Sequence, residues 1–160
     1  MRIAIILSSE INLKDCWGGL QFLKNCGPTT KVVGIYIRSH NRITSKIQRL
    51  LTKLAAENIE AIIIAVNQAN YLSSYCDDFL RNILHNTKTT VIEVKFEDGK
   101  NKSTDSINTP NQVINGFAGA EGFMDACMFS VDTEFPEIKL YEPEKTISLT
   151  LDRALEIASR

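Results

Sequence analysis

An open, doubly wound α/β sandwich is the fold that the sequence predicts, on three observations. Apolar runs of strand length alternate with helix-period segments nearly from end to end. One run, Ala61 to Val66, is apolar at every position, as expected of a strand covered by helices on both faces. The connections are short, which favours parallel strands joined by right-handed crossovers.

The first strand is Arg2 to Leu7 (RIAIIL), and Leu13, Trp17, Leu20 and Leu23 follow it at helical spacing. Gly27-Pro28 stops that segment, and the β-branched run Lys31 to Ile37 makes the second strand. Ile47, Leu50, Leu51 and Leu54 form the stripe of the next helix, with Thr44 or Ser45 placed to cap it. Ala61 to Val66 is the third strand. A third helix carries Leu72, Cys76, Phe79, Leu80 and Ile83 on one side, and Thr90 to Phe96 is the fourth strand. Residues 97 to 112 are polar, hold Gly and Pro and lack an apolar period, so they read as a surface loop or insertion. Beyond a small-residue segment, NGFAGAEGFMDACM, lies a fifth strand, Glu137 to Tyr141. The last helix is striped by Ile147, Leu151, Ala154, Leu155 and Ala158. The result is a three-layer, mostly parallel sheet of about five strands, flavodoxin- or Rossmann-like, with helices on both faces.

At 160 residues the chain reads as a single domain, 1–160, and 44% apolar with 23% charged residues is ordinary for a globular protein. A chain of this size buries roughly 70% of its unfolded surface and needs no metal or disulfide to hold a core. Eighteen basic residues against nineteen acidic ones leave a formal charge of −1, so no basic field is present to collect nucleic acid or an anionic membrane. No apolar run approaches the ~20 residues of a membrane span, and no signal peptide follows Met1-Arg2. These features place the chain in the cytoplasm. Cys16, Cys26, Cys76 and Cys127 stand too far apart for a CxxC pair or zinc knuckle and read as reduced, mostly buried small hydrophobes.

Doubly wound folds bind ligands beyond the carboxyl ends of their strands. After the second strand, Arg38-Ser39-His40-Asn41-Arg42 brings two arginines, a serine and one of two histidines to a helix start. That suits a phosphate or carboxylate, with His40 able to move protons at neutral pH. A solvated cap, with Ser39 or Asn41 on free amides, explains the same residues. Ser8 and Ser9 follow the first strand without the glycines of a dinucleotide fingerprint or P-loop, so they either hold a phosphate oxygen or cap the next helix. Asn70 with Ser73 and Ser74 follows the third strand and reads as a cap or a polar ligand contact. Asp77-Asp78 reads as a solvated helix face, and His85 as a helix C-terminal residue favoured by the macrodipole. No GxSxG, HExxH, EF-hand or Walker pattern occurs, and two histidines are too few for a multi-histidine metal centre.

Taken together, these segments resemble the phosphoribosylaminoimidazole carboxylase family of purine biosynthesis, the PurE type. The likeness is closest to its carbon-dioxide-using class, class II, whose third strand runs into A-G-R-S-N-x-L-S-G-x-x-D. In the stretch from Val66 to Asp77, Asn70, Leu72, Ser73 and Asp77 match while the Gly and Arg are replaced. Phe117-Ala118-Gly119-Ala120 is similar to the family's F-A-G-A, and Glu142-Pro143 to its E-P before the last helix. The resemblance implies carboxylation of 5-aminoimidazole ribonucleotide at C4 of the imidazole, without metal or organic cofactor. It also implies a homo-oligomer, usually an octamer. A histidine in the family's S-A-H-[RK] motif shuttles the ring proton. Here Ser39 and Arg42 match the motif's ends, and either His40 or Asn41 takes the histidine's place according to a shift of one residue.

In an active enzyme, His40 is the general acid/base; Ser8, Ser9, Ser39, Asn41 and Arg42 cradle the phosphate-bearing ribonucleotide, and Asn70 with Ser73 contacts base or carboxylate. The site departs from the family pattern: Leu7 replaces the glycine of G-S-x-S-D, Ile11 falls where its aspartate belongs, and no P-S-G turn is recognisable at Phe129-Ser130-Val131. Two readings therefore stand, an active carboxylase that uses CO2 and a catalytically degenerate relative that binds a ligand or regulates.

Overall fold

The structure, a computed structural model, describes residues 1–38, 44–67, 72–96, 112–140 and 149–160. Among them are strands β1 (Arg2–Leu7), β2 (Lys31–Ile37), β3 (Ala61–Val66), β4 (Thr90–Lys95) and β5 (Ile114–Ala118). All pair in parallel, in the order β2-β1-β3-β4-β5. This is the flavodoxin-like order, and its direction reverses between β1 and β3. The helices are α1 (Trp17–Lys24), α2 (Thr44–Ala56), α3 (Leu72–Asp78), α4 (Gly119–Asp132) and α5 (Leu151–Ala158). A 3-10 stretch, Glu10–Cys16, leads into α1, and a π-helical turn, Phe79–Ile83, prolongs α3.

Side chains of a strand alternate between faces, so each central strand feeds two cores. Ala4, Ile6, Ile62 and Ile64 pack under α2 and α3 against Ile47, Leu51, Leu54 and Leu80. Ile3, Ile5, Leu7 and Ile63 pack on the other face against Leu23 of α1 and Phe123 and Ala126 of α4. Each Ile, Leu or Phe among them contributes about 1.5–3 kcal/mol on full burial. The sheet's carboxyl end is therefore a rigid platform between two helical layers.

Three expectations are corrected. The fifth strand is not Glu137 to Tyr141, since residues 137–140 lie in no strand; it is Ile114–Ala118, within the small-residue segment. That strand lies at the sheet edge and its register against β4 shifts between Ile92 and Val94, beside Gly116 at φ +102°. Such a strand shows no alternation of hydropathy. Ile138 instead buries its side chain and donates its N–H to the Thr87 carbonyl at 2.8 Å, a single anchor rather than a ladder. Secondly, Leu13 and Trp17 do not point into the core; both are exposed, Leu13 in the 3-10 stretch and Trp17 at the start of α1, while Leu20 and Leu23 pack inward. Finally, Asp77 is not on a solvated face but is buried beside Arg81, whereas Asp78 is exposed as expected.

Candidate functional site

The carboxyl ends of β1, β2 and β3 are stitched together by their next residues. Ser8 donates its N–H to the Ala65 carbonyl at 2.9 Å, and its hydroxyl oxygen accepts from the Asn67 N–H at 3.1 Å. Arg38 donates its N–H to the Leu7 carbonyl at 2.8 Å. Ser8 thus stands at the switch in strand order with its hydroxyl proton still able to donate. Ser9 caps the 3-10 stretch, its hydroxyl accepting from the Ile11 N–H at 3.3 Å. The capping reading holds for Ser9, and the phosphate reading does not gain from it.

Three buried polar atoms at this end have no hydrogen-bond partner among the described residues: Asn12 Nδ2, Arg38 Nε and Ser73 Oγ. Asn12 belongs to the segment after β1, Arg38 directly follows β2, and Ser73 lies in the first turn of α3, after β3. Arg38 uses Nη1 on the Ile37 carbonyl at 2.8 Å, leaving Nε unspent. A buried donor left unpaired costs about 1–3 kcal/mol, and these atoms, one after each of β1, β2 and β3, are free to bond a polar ligand. Two of the three are obligate donors, which suits an anionic or carbonyl-bearing ligand.

Ser39, His40, Asn41, Arg42 and Asn70 lie outside the described residues, as do Glu142-Pro143 and residues 97–111 of the loop. Of the sequence-derived candidates, Ser8, Ser9 and Ser73 are described, and Ser8 and Ser73 lie at this end as expected. Asn12 and Arg38 were not among those candidates. Arg38 opens the polar cluster after β2, but no pattern marks Asn12: it is buried while its apolar neighbours Ile11 and Leu13 are exposed, the reverse of their hydropathies.

Below the platform, Arg81 Nη2 lies 3.0 Å from Asp77 Oδ1, both side chains being almost wholly buried. Burial pulls the guanidinium down from its ordinary pKa, and the charge of Asp77 opposes this. Asp77 Oδ2 also accepts from the Gln112 N–H at 3.1 Å, fixing the chain just ahead of β5. The thiols of Cys16, Cys76 and Cys127 are pushed up to about 12, chiefly by burial, so none is a nucleophile at neutral pH. No group of three or more His, Cys, Asp or Glu that could hold a metal occurs among the described residues. No described helix is long and apolar enough to cross a membrane.

No family model matches the sequence, and no curated protein matches it. Among solved structures the chain is similar to the crystal structure of Treponema denticola PurE, with a TM-score of 0.55 and 15% sequence identity over 82% of each chain. At that identity the likeness is one of fold. It agrees with the parallel five-stranded sheet flanked by helices, and with the family whose fold the sequence resembles.

Proposed function

We propose that the chain binds a phosphate-bearing imidazole ribonucleotide at the carboxyl ends of β1, β2 and β3 and carboxylates 5-aminoimidazole ribonucleotide there. The unpartnered buried atoms Asn12 Nδ2, Arg38 Nε and Ser73 Oγ carry this reading, because they supply hydrogen bonds that the described protein does not use. In this proposal Arg38 and Asn12 join Ser8, Ser39 and Arg42 in holding the phosphate and ribose. Ser73 and Asn70 contact the base or the incoming carboxylate. His40 carries the C4 proton, since it is the histidine in the segment after β2 and the other histidine, His85, is at the opposite end of the sheet. The reaction needs a fixed charge cradle and one positioned acid/base group, and CO2 supplies the carboxylate.

A second reading, a degenerate binding protein, is favoured by Leu7. The family's glycine at this place lets backbone approach the ligand, whereas the Leu7 side chain is fully buried against the α1 and α4 core. The two readings share a ligand and differ in turnover. Incubation with 4-carboxy-5-aminoimidazole ribonucleotide, followed by ultraviolet absorbance, separates them. Decarboxylation that His40→Asn abolishes supports the enzyme; saturable binding of 5-aminoimidazole ribonucleotide without turnover supports the binding protein; neither overturns both.

A further inference from the structure

A cavity lies at the opposite, amino end of the sheet, far from the strand ends considered above. It measures ≈ 510 Å³ and is lined by residues that precede β3 and β4 together with Arg2 at the start of β1. That volume is within the range of small-molecule pockets, roughly 300–1,000 Å³. We propose that it binds a small oxyanion, a phosphate or carboxylate group, on His85 and Lys88. This inference does not depend on the reading of the carboxyl end.

The charge balance favours an anion. Arg2, His85 and Lys88 line the cavity against a single carboxylate, Glu60. Glu60 Oε1 already accepts from the Arg2 N–H at 3.2 Å. Asp132, Glu134 and Glu137 line the neighbouring cleft, which shares Lys88, yet none of them pairs with it. The side chains of His85 and Lys88 make no hydrogen bond or ion pair among the described residues, so their donors are unspent. Helix-end carbonyls beside these lining residues are engaged. Glu57 O accepts from Arg2 Nε at 3.0 Å, Ala55 O from the Asn58 N–H at 3.2 Å and Leu80 O from the Asn86 N–H at 2.8 Å.

The backbone that carries His85 and Lys88 is also held in place before any ligand arrives. Arg81, only 2% exposed, donates through Nη1 to the Asn86 carbonyl at 3.1 Å and through Nη2 to the Thr89 carbonyl. Asn86 Oδ1 accepts from the N–H groups of Lys88 and Thr89 at 2.9 and 2.8 Å. Thr89 Oγ1 donates to the Ile59 carbonyl at 2.6 Å. His85 itself sits at φ +52°, a left-handed conformation that fixes where its ring leaves the turn. Ordering entropy that a flexible loop would lose on binding has been removed in advance.

The test is a nuclear magnetic resonance titration of the full chain with inorganic phosphate and, separately, with succinate at constant ionic strength. Saturable shifts at the amides of residues 85–89 are expected, weakened about ten-fold or more in the His85→Asn/Lys88→Met double variant. Saturation by phosphate alone supports a phosphate site, by succinate alone a carboxylate site, and by both a general oxyanion site. No saturable shift at 85–89 overturns the proposal. So do shifts that the double variant retains at full strength while its circular dichroism is unchanged, or shifts confined to residues 8, 38 and 67.

Discussion

Ser73 is buried with a hydroxyl unpartnered among the described residues, and such an arrangement costs about 1–3 kcal/mol. Removing the hydroxyl should therefore leave stability unchanged or raise it, while weakening a ligand that uses it. We expect Ser73→Ala to match or exceed the parent in urea unfolding and to bind 5-aminoimidazole ribonucleotide several-fold more weakly. A loss of stability with unchanged binding would remove Ser73 from the site. Asp77 is the opposite case. Its carboxylate faces Arg81 in the interior, and breaking a buried pair from one side costs about 3–5 kcal/mol because the remaining charge loses its counter-charge. Asp77→Asn should lose on that order by urea unfolding, and the Asp77→Leu/Arg81→Met double variant should regain much of it. Only part of this chemistry was legible beforehand. Ser8 and Ser73 stand where strand ends predict a site, because that rule concerns topology. Asn12 and the burial of Asp77 were not legible: exposure in a 3-10 turn and pairing across one helical turn depend on packing, not on hydropathy along the chain.

At the scale of elements, the fold was legible wherever burial is two-sided. β1 and β3 are the central strands, buried almost throughout, and their unbroken apolar runs announce it. β5 was missed because an edge strand with a register shift needs no such run. Its link to α4 turns on Gly119, whose φ of +68° belongs to the left-handed region. That explains the glycine of Phe117-Ala118-Gly119-Ala120 by backbone geometry, independent of any ligand. Gly119→Val should destabilise the chain by at least about 1 kcal/mol, since a β-branched residue is strained at such a φ. Thermal unfolding tests this, and a variant as stable as its parent would mean that the β5–α4 turn is made differently. Closer packing marks the partner helix: a Cβ on Gly19 of α1 would stand 2.5 Å from the Phe123 ring, so α1 and α4 touch through the missing side chain.

At the scale of the molecule, one element has no core to join. Of the stripe that predicted the last helix, Leu151, Ala154, Leu155 and Ala158 lie in α5 while Ile147 lies outside the described residues; the helix is capped by Thr150, whose hydroxyl accepts from the Arg153 N–H at 3.2 Å. Yet no residue of α5 is buried; Leu151 is 76% and Leu155 59% exposed, and Leu149 just ahead is half exposed. An isolated helix of eight residues is not stable in water, where helices shorter than ~12–15 residues are marginal even in favourable sequences. The apolar stripe must be covered for α5 to persist, and in the homo-oligomer that the family resemblance implies a second copy of the chain would cover it. Sequence periodicity could announce the stripe but not its partner, because a pattern of leucines looks the same whether it faces its own sheet or a neighbour. Light scattering should give a mass well above the 17.9 kDa of one chain, eight-fold above it if the octamer holds. Leu151→Glu/Leu155→Glu should lower that mass and reduce helical circular dichroism together. A parent protein that is monomeric at micromolar concentration, or a double variant that assembles as before, would detach α5 from assembly and leave the fold standing without it.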